Sequence, residues 1–219
     1  MKLSGTNAIP LWWVKVFLVV FYAVGVLGFL FPVTKPLFIA ITPFALLLSV
    51  YLLALYHTKF DSLQVIIFCF VFLFGFLVEA VGVNTGLIFG NYIYGSGLGF
   101  KLYNTPLLIG VNWLFLTYTA SSIANKLSSK TGLQLIIAPS IMLFYDFILE
   151  HVAPQMDMWS WNGDSIPLKN YLAWWVIGFV FVALLKIFKV STQNPLSLFL
   201  FCCQYLFFLI LYLIFNLLP

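Results

Sequence analysis

Seven apolar runs recur along this chain, near residues 11–31, 36–56, 62–80, 105–125, 133–150, 170–188 and 195–217, each close to the ~20 residues with which a helix crosses a ~30 Å hydrocarbon layer. Continuous apolarity of that length, broken only by Pro, Gly and an occasional charge, reads as helix. Charged residues are 7% of the sequence and mean hydropathy is +1.10, where soluble domains carry roughly 25% charge. The expectation is therefore an all-α, polytopic membrane bundle of about seven transmembrane helices. No soluble domain fits between the runs, so residues 1–219 are expected to form one integral membrane domain. The first run is too long for the core of a signal peptide and has no small-residue exit, so it is expected to be a retained span.

Ten lysines and no arginine make up the cations. With alternating crossings, Lys2, Lys59, Lys126, Lys130, Lys186 and Lys189 share the side of the N-terminus, against Lys35, Lys101 and Lys169 opposite. The positive-inside rule then places the N-terminus in the cytoplasm and the C-terminus outside. Such scattered lysines form no face for nucleic acid. Cys69, Cys202 and Cys203 lie in apolar runs without C-x-x-C spacing, which argues for packing rather than a metal or a disulfide framework.

Two connections are long, 81–104 and 151–169, and both belong to the predicted outer side. They are rich in Gly, Asn, Tyr and Trp, and long connections in a compact domain are usually functional or disordered. The aromatic content of "VGVNTGLIFGNYIYGSG" argues for a folded cap over one end of the bundle. Although Gly-rich, it lacks the spacing of a phosphate-binding loop.

The carboxylates are concentrated on that side too. Asp61 sits with Lys59 in a turn on the other face, whereas Glu79, Asp146, Glu150, Asp157 and Asp164 all belong to the outer one. Asp146 and Glu150, four apart, share one face of a helix about one turn apart. Two acids so placed resist joint ionisation, and Asp146 lies deeper toward hydrocarbon, so it is expected to keep a proton and serve as a general acid. Intramembrane acids are functional candidates by default; the alternative is helix-end charge at headgroup depth. His151 reads as an interfacial histidine, and Asn112 and Gln204 as interhelical hydrogen-bonding residues. Tyr92, Tyr94, Trp159, Trp161, Tyr171, Trp174 and Trp175 form either an aromatic belt or a pocket lining.

"EAVGVNTGLIFGNYIY" (Glu79 to Tyr94), the D-x-x-x-E of Asp146 and Glu150, and "WSWNGDSIPLKNYLAWW" (Trp159 to Trp175) together resemble the carotenoid biosynthesis membrane protein family that includes CruF-type carotenoid hydratases. These resemble the hydratases of γ-carotene and bisanhydrobacterioruberin. The likeness covers spans three to six; the other spans match in hydropathy alone. One departure is His151, where the family often has Pro after the Glu. The resemblance implies a cofactor-independent, metal-free hydro-lyase in a bacterial or archaeal cell membrane, with its active-site loops on the outer side. The implied partners are membrane lipids and a lycopene- or γ-carotene-type substrate.

The implied reaction adds water across the terminal C1–C2 (or C1′–C2′) double bond of an acyclic ψ end. Asp146 would protonate C2, aromatic faces would stabilise the tertiary cation at C1, and Glu150, with Glu79 as second candidate, would deprotonate the attacking water. The motifs supply an expected substrate-binding set of Asn84, Thr85, Tyr92, Tyr94, Trp159, Trp161, Asn170 and Tyr171. The competing readings are a ψ-end cyclase or isomerase, a non-enzymatic carotenoid-binding or scaffold protein, and a transporter or channel. The last is disfavoured because no line of ionisable residues crosses to the other face.

Overall fold

The computed structural model describes residues 9–58, 60–163 and 165–217. Its helices are α1 (Leu11–Leu30), α2 (Lys35–Leu55), α3 (Ser62–Thr85), α4 (Leu108–Leu127), α5 (Thr131–Val152), α6 (Leu168–Ile187) and α7 (Ser197–Leu217). Short strands β1 (Tyr92–Tyr94), β2 (Lys101–Leu102), β3 (Thr105–Pro106) and β4 (Trp159–Trp161) lie in the two long connections. The all-α polytopic membrane bundle expected from the sequence is the architecture observed. Lys2, Lys59 and Asp164 lie outside the described residues.

Six of the helices are long and apolar enough to span a membrane; α4 is the exception. Its position explains why. It packs against α2, α3, α5, α6 and α7, and fifteen of its twenty residues are buried. A helix surrounded by protein can carry Asn112, Thr117, Thr119, Ser121 and Ser122 on buried faces, and small residues let neighbouring backbones approach. The outer helices show the reverse pattern. Trp12, Trp13, Phe44, Ile66 and Val180 are more than half exposed, as side chains in contact with lipid must be.

Local chemistry sets the length of α3. Asp61 caps its start by accepting the Gln64 amide at 2.9 Å, which satisfies one of the orphan donors of a first turn. Its other end runs five residues past the sequence-derived boundary and stops at Gly86, whose φ of +66° is the left-handed conformation that suits a helix stop. Lys169 of α6 donates to the Gly86 carbonyl at 2.7 Å, tying α6 to the end of α3.

The two long connections meet above the bundle. Strands β1 and β4 pair antiparallel, with Tyr92 opposite Trp161 and Tyr94 opposite Trp159. Alternation along a strand sends Ile93 and Ser160 outward, where both are exposed, and turns the two tyrosines and two tryptophans toward the helix ends. A second tiny hairpin, β2 with β3, leads into α4.

Candidate active site

Under this ribbon the three acids of α3 and α5 come together. Glu79 is 3% exposed, Asp146 0% and Glu150 3%. On α5, Tyr145 and Leu149 face one way while Asp146 and Glu150, each one residue further on, face another; the four-residue spacing keeps each pair on its own side. Gly75 and Glu79 share a face of α3 by the same spacing. A Cβ at Gly75 would lie 2.7 Å from Cβ of Trp113. Glycine there lets α4 approach closely enough for the Trp113 indole to reach Glu79.

Each glutamate is held by its own set of neutral donors. Glu79 accepts the Tyr92 and Tyr94 hydroxyls at 2.6 and 2.8 Å and the Trp113 indole N–H at 3.0 Å. Glu150 accepts the indole N–H groups of Trp159 and Trp161 at 2.9 and 2.7 Å and the Asn170 amide at 2.8 Å. Three donors per carboxyl is the arrangement of an acceptor-only carboxylate, and such bonds contribute roughly 1.5–3 kcal/mol each. The phenols of Tyr92 and Tyr94 are pushed above the usual range by burial first and by Glu79 next. Both therefore stay protonated donors.

Asp146 differs from its neighbours. Its Oδ2 has one long contact, 3.5 Å from the Asn170 amide, and its Oδ1 has no hydrogen-bond partner among the described residues. A protonated carboxyl has a hydrogen to give, and this is the acid with bonding capacity to spare. His151 turns away: its Nδ1 lies 2.7 Å from the Phe147 carbonyl, and its ring packs on Phe147 and Tyr212.

One cavity borders the cluster and a second adjoins the first. The smaller, about 10 Å³, is lined by Glu79, Glu150, Tyr92, Tyr94, Trp161 and Asn170, among others, and its volume is that of about one water-sized sphere. The larger, about 660 Å³, is lined almost wholly by hydrocarbon from α1, α2, α4, α5 and α7, a volume within the range of small-molecule sites. Ile109 and Trp159 line both, so they are the partition. Exposed lining residues Val24, Ile41, Phe44 and Leu47 open the large chamber sideways, toward lipid.

Of the residues expected to bind substrate, Tyr92, Tyr94, Trp159, Trp161 and Asn170 lie together around the small cavity. Asn84, Thr85 and Tyr171 do not. Asn84 and Thr85 follow Glu79 by five and six residues, which turns them to other sides of α3; both are exposed, with Asn84 bonded to the Ala80 and Tyr103 carbonyls and Thr85 to Val81. Tyr171 leans on Phe147, outside both cavities. Asp157 is exposed and accepts the Ser96 amide and hydroxyl, which hold its carboxyl below the usual range. It ties the two connections together.

Trp113 was missed by sequence reasoning as part of the site, whereas Trp174 stood among the residues of an aromatic belt or pocket lining. Trp113 bonds Glu79 and stacks on Trp174, ring centroids 4.0 Å apart, and Trp174 lines the small cavity. The available signal was a tryptophan beside Asn112 in the least apolar span.

A family model described as carotenoid biosynthesis protein matches residues 35–218. It extends beyond the three motifs to take in α2 and α7. No curated protein and no solved structure matches the chain. With its buried acid cluster set in a membrane bundle, the chain belongs to the carotenoid biosynthesis protein family.

Proposed function

We propose that this protein is a carotenoid hydratase, adding water to the terminal C1–C2 double bond of an acyclic ψ end to give a tertiary alcohol. The observation that carries the reading is the pairing of a hydrocarbon-lined chamber with an adjoining carboxylate-lined chamber of one-water size. A carotene enters sideways from the bilayer and lies in the large chamber, its end advancing between Ile109 and Trp159. Asp146 supplies the proton to C2, and the π electrons of the double bond form the new C–H bond. The tertiary cation left at C1 faces the indoles and phenols of the ribbon, each contributing about 1–2 kcal/mol when desolvated.

Water held between Glu150 and Glu79 then attacks C1, and Glu150 takes the proton released. No redox change occurs, so the atoms balance without a cofactor. Asp146 lines neither chamber; its proton becomes available as the substrate end displaces the partition. The excess of lysine on the N-terminal side supports a cytoplasmic N-terminus, with the ribbon and the acids on the outer side. The acids, the ribbon and the chamber then belong to one membrane domain spanning the chain.

Co-expression with an acyclic carotene tests the reading through the mass of the pigments. Wild type is expected to yield a pigment heavier by one water, and Asp146→Asn none, with membrane insertion unchanged. Normal turnover in Asp146→Asn removes Asp146 from the acid role. A product of unchanged mass but altered spectrum indicates cyclisation or isomerisation, and an unaltered pigment that copurifies indicates a binding protein.

A further inference from the structure

The large chamber is shorter than a full-length carotene. Its longest wall belongs to α2, from Phe38 to Tyr51, and that stretch rises about 20 Å at 1.5 Å per residue. On α1 the lining runs only from Phe21 to Phe29, about 12 Å by the same rise. A forty-carbon acyclic carotene is a stiff rod about as long as the ~30 Å hydrocarbon layer is thick. With one end at the partition of Ile109 and Trp159, roughly a third of such a rod has no room inside.

The walls decide where that remainder goes. Val14, Leu18, Leu52, Leu53 and Leu200, in the half of the bundle away from the ribbon, are buried and line neither cavity, so packed side chains stop the rod from running on between the helices. Every lining residue contributed by α4, α5, α7 and the two connections is buried as well. The exposed ones, Val24, Ile41, Phe44, Leu47 and Tyr51, all belong to α1 and α2 and are between 41% and 68% exposed. The way out is therefore sideways past these two helices. Phe38 seats on Gly28 of α1, where a Cβ would lie 2.3 Å from its ring, so the two helices are closed together nearer the ribbon. Lipid tails are as apolar as the chamber wall, and the part of the rod left in them loses nothing. Only the part inside the chamber is read.

We propose that the protein binds its substrate by one end only: the chamber takes up to about 20 Å of polyene behind the ψ end, and the remainder leaves past α1 and α2 into the bilayer. This rests on the hydration reading. The substrate class is then an acyclic ψ end followed by enough polyene to fill the chamber, whatever the total length.

The test compares lycopene with an acyclic hydrocarbon polyene of twenty-five carbons that keeps one ψ end, about 19 Å long on the scale of the ~30 Å rod. Full-length protein in lipid nanodiscs is given each compound, and the products are measured by mass. Both are expected to gain water at rates within about twofold of each other, because the shorter one gives up no apolar contact inside the chamber. Val24→Trp combined with Leu47→Trp narrows the outlet and is expected to lower turnover of lycopene about tenfold relative to the short polyene, the effect of one large side chain in the way. A wild-type protein that hydrates lycopene and refuses the short polyene overturns the proposal, whether or not the double variant folds; so does a double variant of undiminished extracted yield that slows both equally. If neither compound gains water, the hydration reading fails and retention decides whether binding is one-ended. Asp146→Asn protein offered both compounds at equal concentration and then washed in detergent is expected to hold them in comparable amounts, and retention of lycopene alone overturns one-ended binding.

Discussion

The two ends of the bundle handle buried polarity in opposite ways. At the end opposite the ribbon, the larger polar side chains pair with one another, and only small hydroxyls such as those of Ser121, Ser122 and Ser197 lack a partner among the described residues. His57 lies 2.8 Å from the Tyr118 hydroxyl and 2.9 Å from Gln64, whose amide donates to Asp61 at 3.0 Å. Asn194 donates to the Leu53 carbonyl and to Tyr118, and Lys186 donates to Asn125 and Gln134. At the ribbon end three acids are buried together, Glu79 and Glu150 lining the small cavity and Asp146 behind it; their hydrogen-bond donors are all uncharged, and one carboxyl oxygen has no partner among the described residues. The first arrangement pins helix ends. The second keeps acidity in hydrocarbon, an arrangement that costs stability and that chemistry can use.

Substitutions at the two ends should therefore separate. Asp146→Asn is expected to have the largest effect on turnover, a loss of about 100-fold or more as for other general acids, with little loss of folded protein because the amide is isosteric; pigment analysis beside detergent-extracted yield reads both. Glu150→Gln comes next, since it replaces the water-activating carboxylate with an amide that also meets three donors head-on. It is expected to reduce product strongly and lower the melting temperature. Gly75→Ala brings a methyl against Trp113 and is expected to slow turnover by roughly tenfold while weakening the α3–α4 packing by about 1–3 kcal/mol, visible as altered tryptophan fluorescence.

His57→Ala, at the other end, is expected to cost about 1 kcal/mol of stability and leave the pigment product unchanged. A change of product there would erase the contrast between the ends. The smallest effect belongs to Asp157. Its carboxyl is depressed by the Ser96 bonds, so its contribution is fully present above the unfolded value near 3.9 and disappears as pH falls through the lower native one. Because it is exposed, Asp157→Asn should lower the melting temperature only slightly at neutral pH, and the difference should vanish once the pH drops beneath that native value.

Much of this was legible in the sequence because lipid imposes a simple code. Apolar runs placed all seven helices within a few residues, α3 excepted, where the Ala80–Thr85 stretch continues the helix until Gly86 can stop it. The acid cluster was legible as well, since four-residue spacing fixes Asp146 and Glu150 on one face whatever surrounds them. Strand pairing was not read, although "YIY" and "WSW" each alternate with period two; three residues are too few for periodicity to decide, and the partners are 65 to 69 residues apart in the loops that carry them. The central place of α4 depends on which helices enclose it, which hydropathy does not encode. Trp113 was hidden for that reason, and Asn84 and Thr85 were taken from a motif without asking which side of the helix each faces.

Solvent isotope incorporation is the sharpest test of proton donation by Asp146 and attack by water. Protein in nanodiscs is given an acyclic carotene in oxygen-18 water and, separately, in deuterium oxide. The product is expected to carry one solvent oxygen at C1 and one non-exchangeable solvent deuterium at C2, both lost in Asp146→Asn. A product without solvent oxygen, or the same labelled product from Asp146→Asn, would contradict hydration through Asp146.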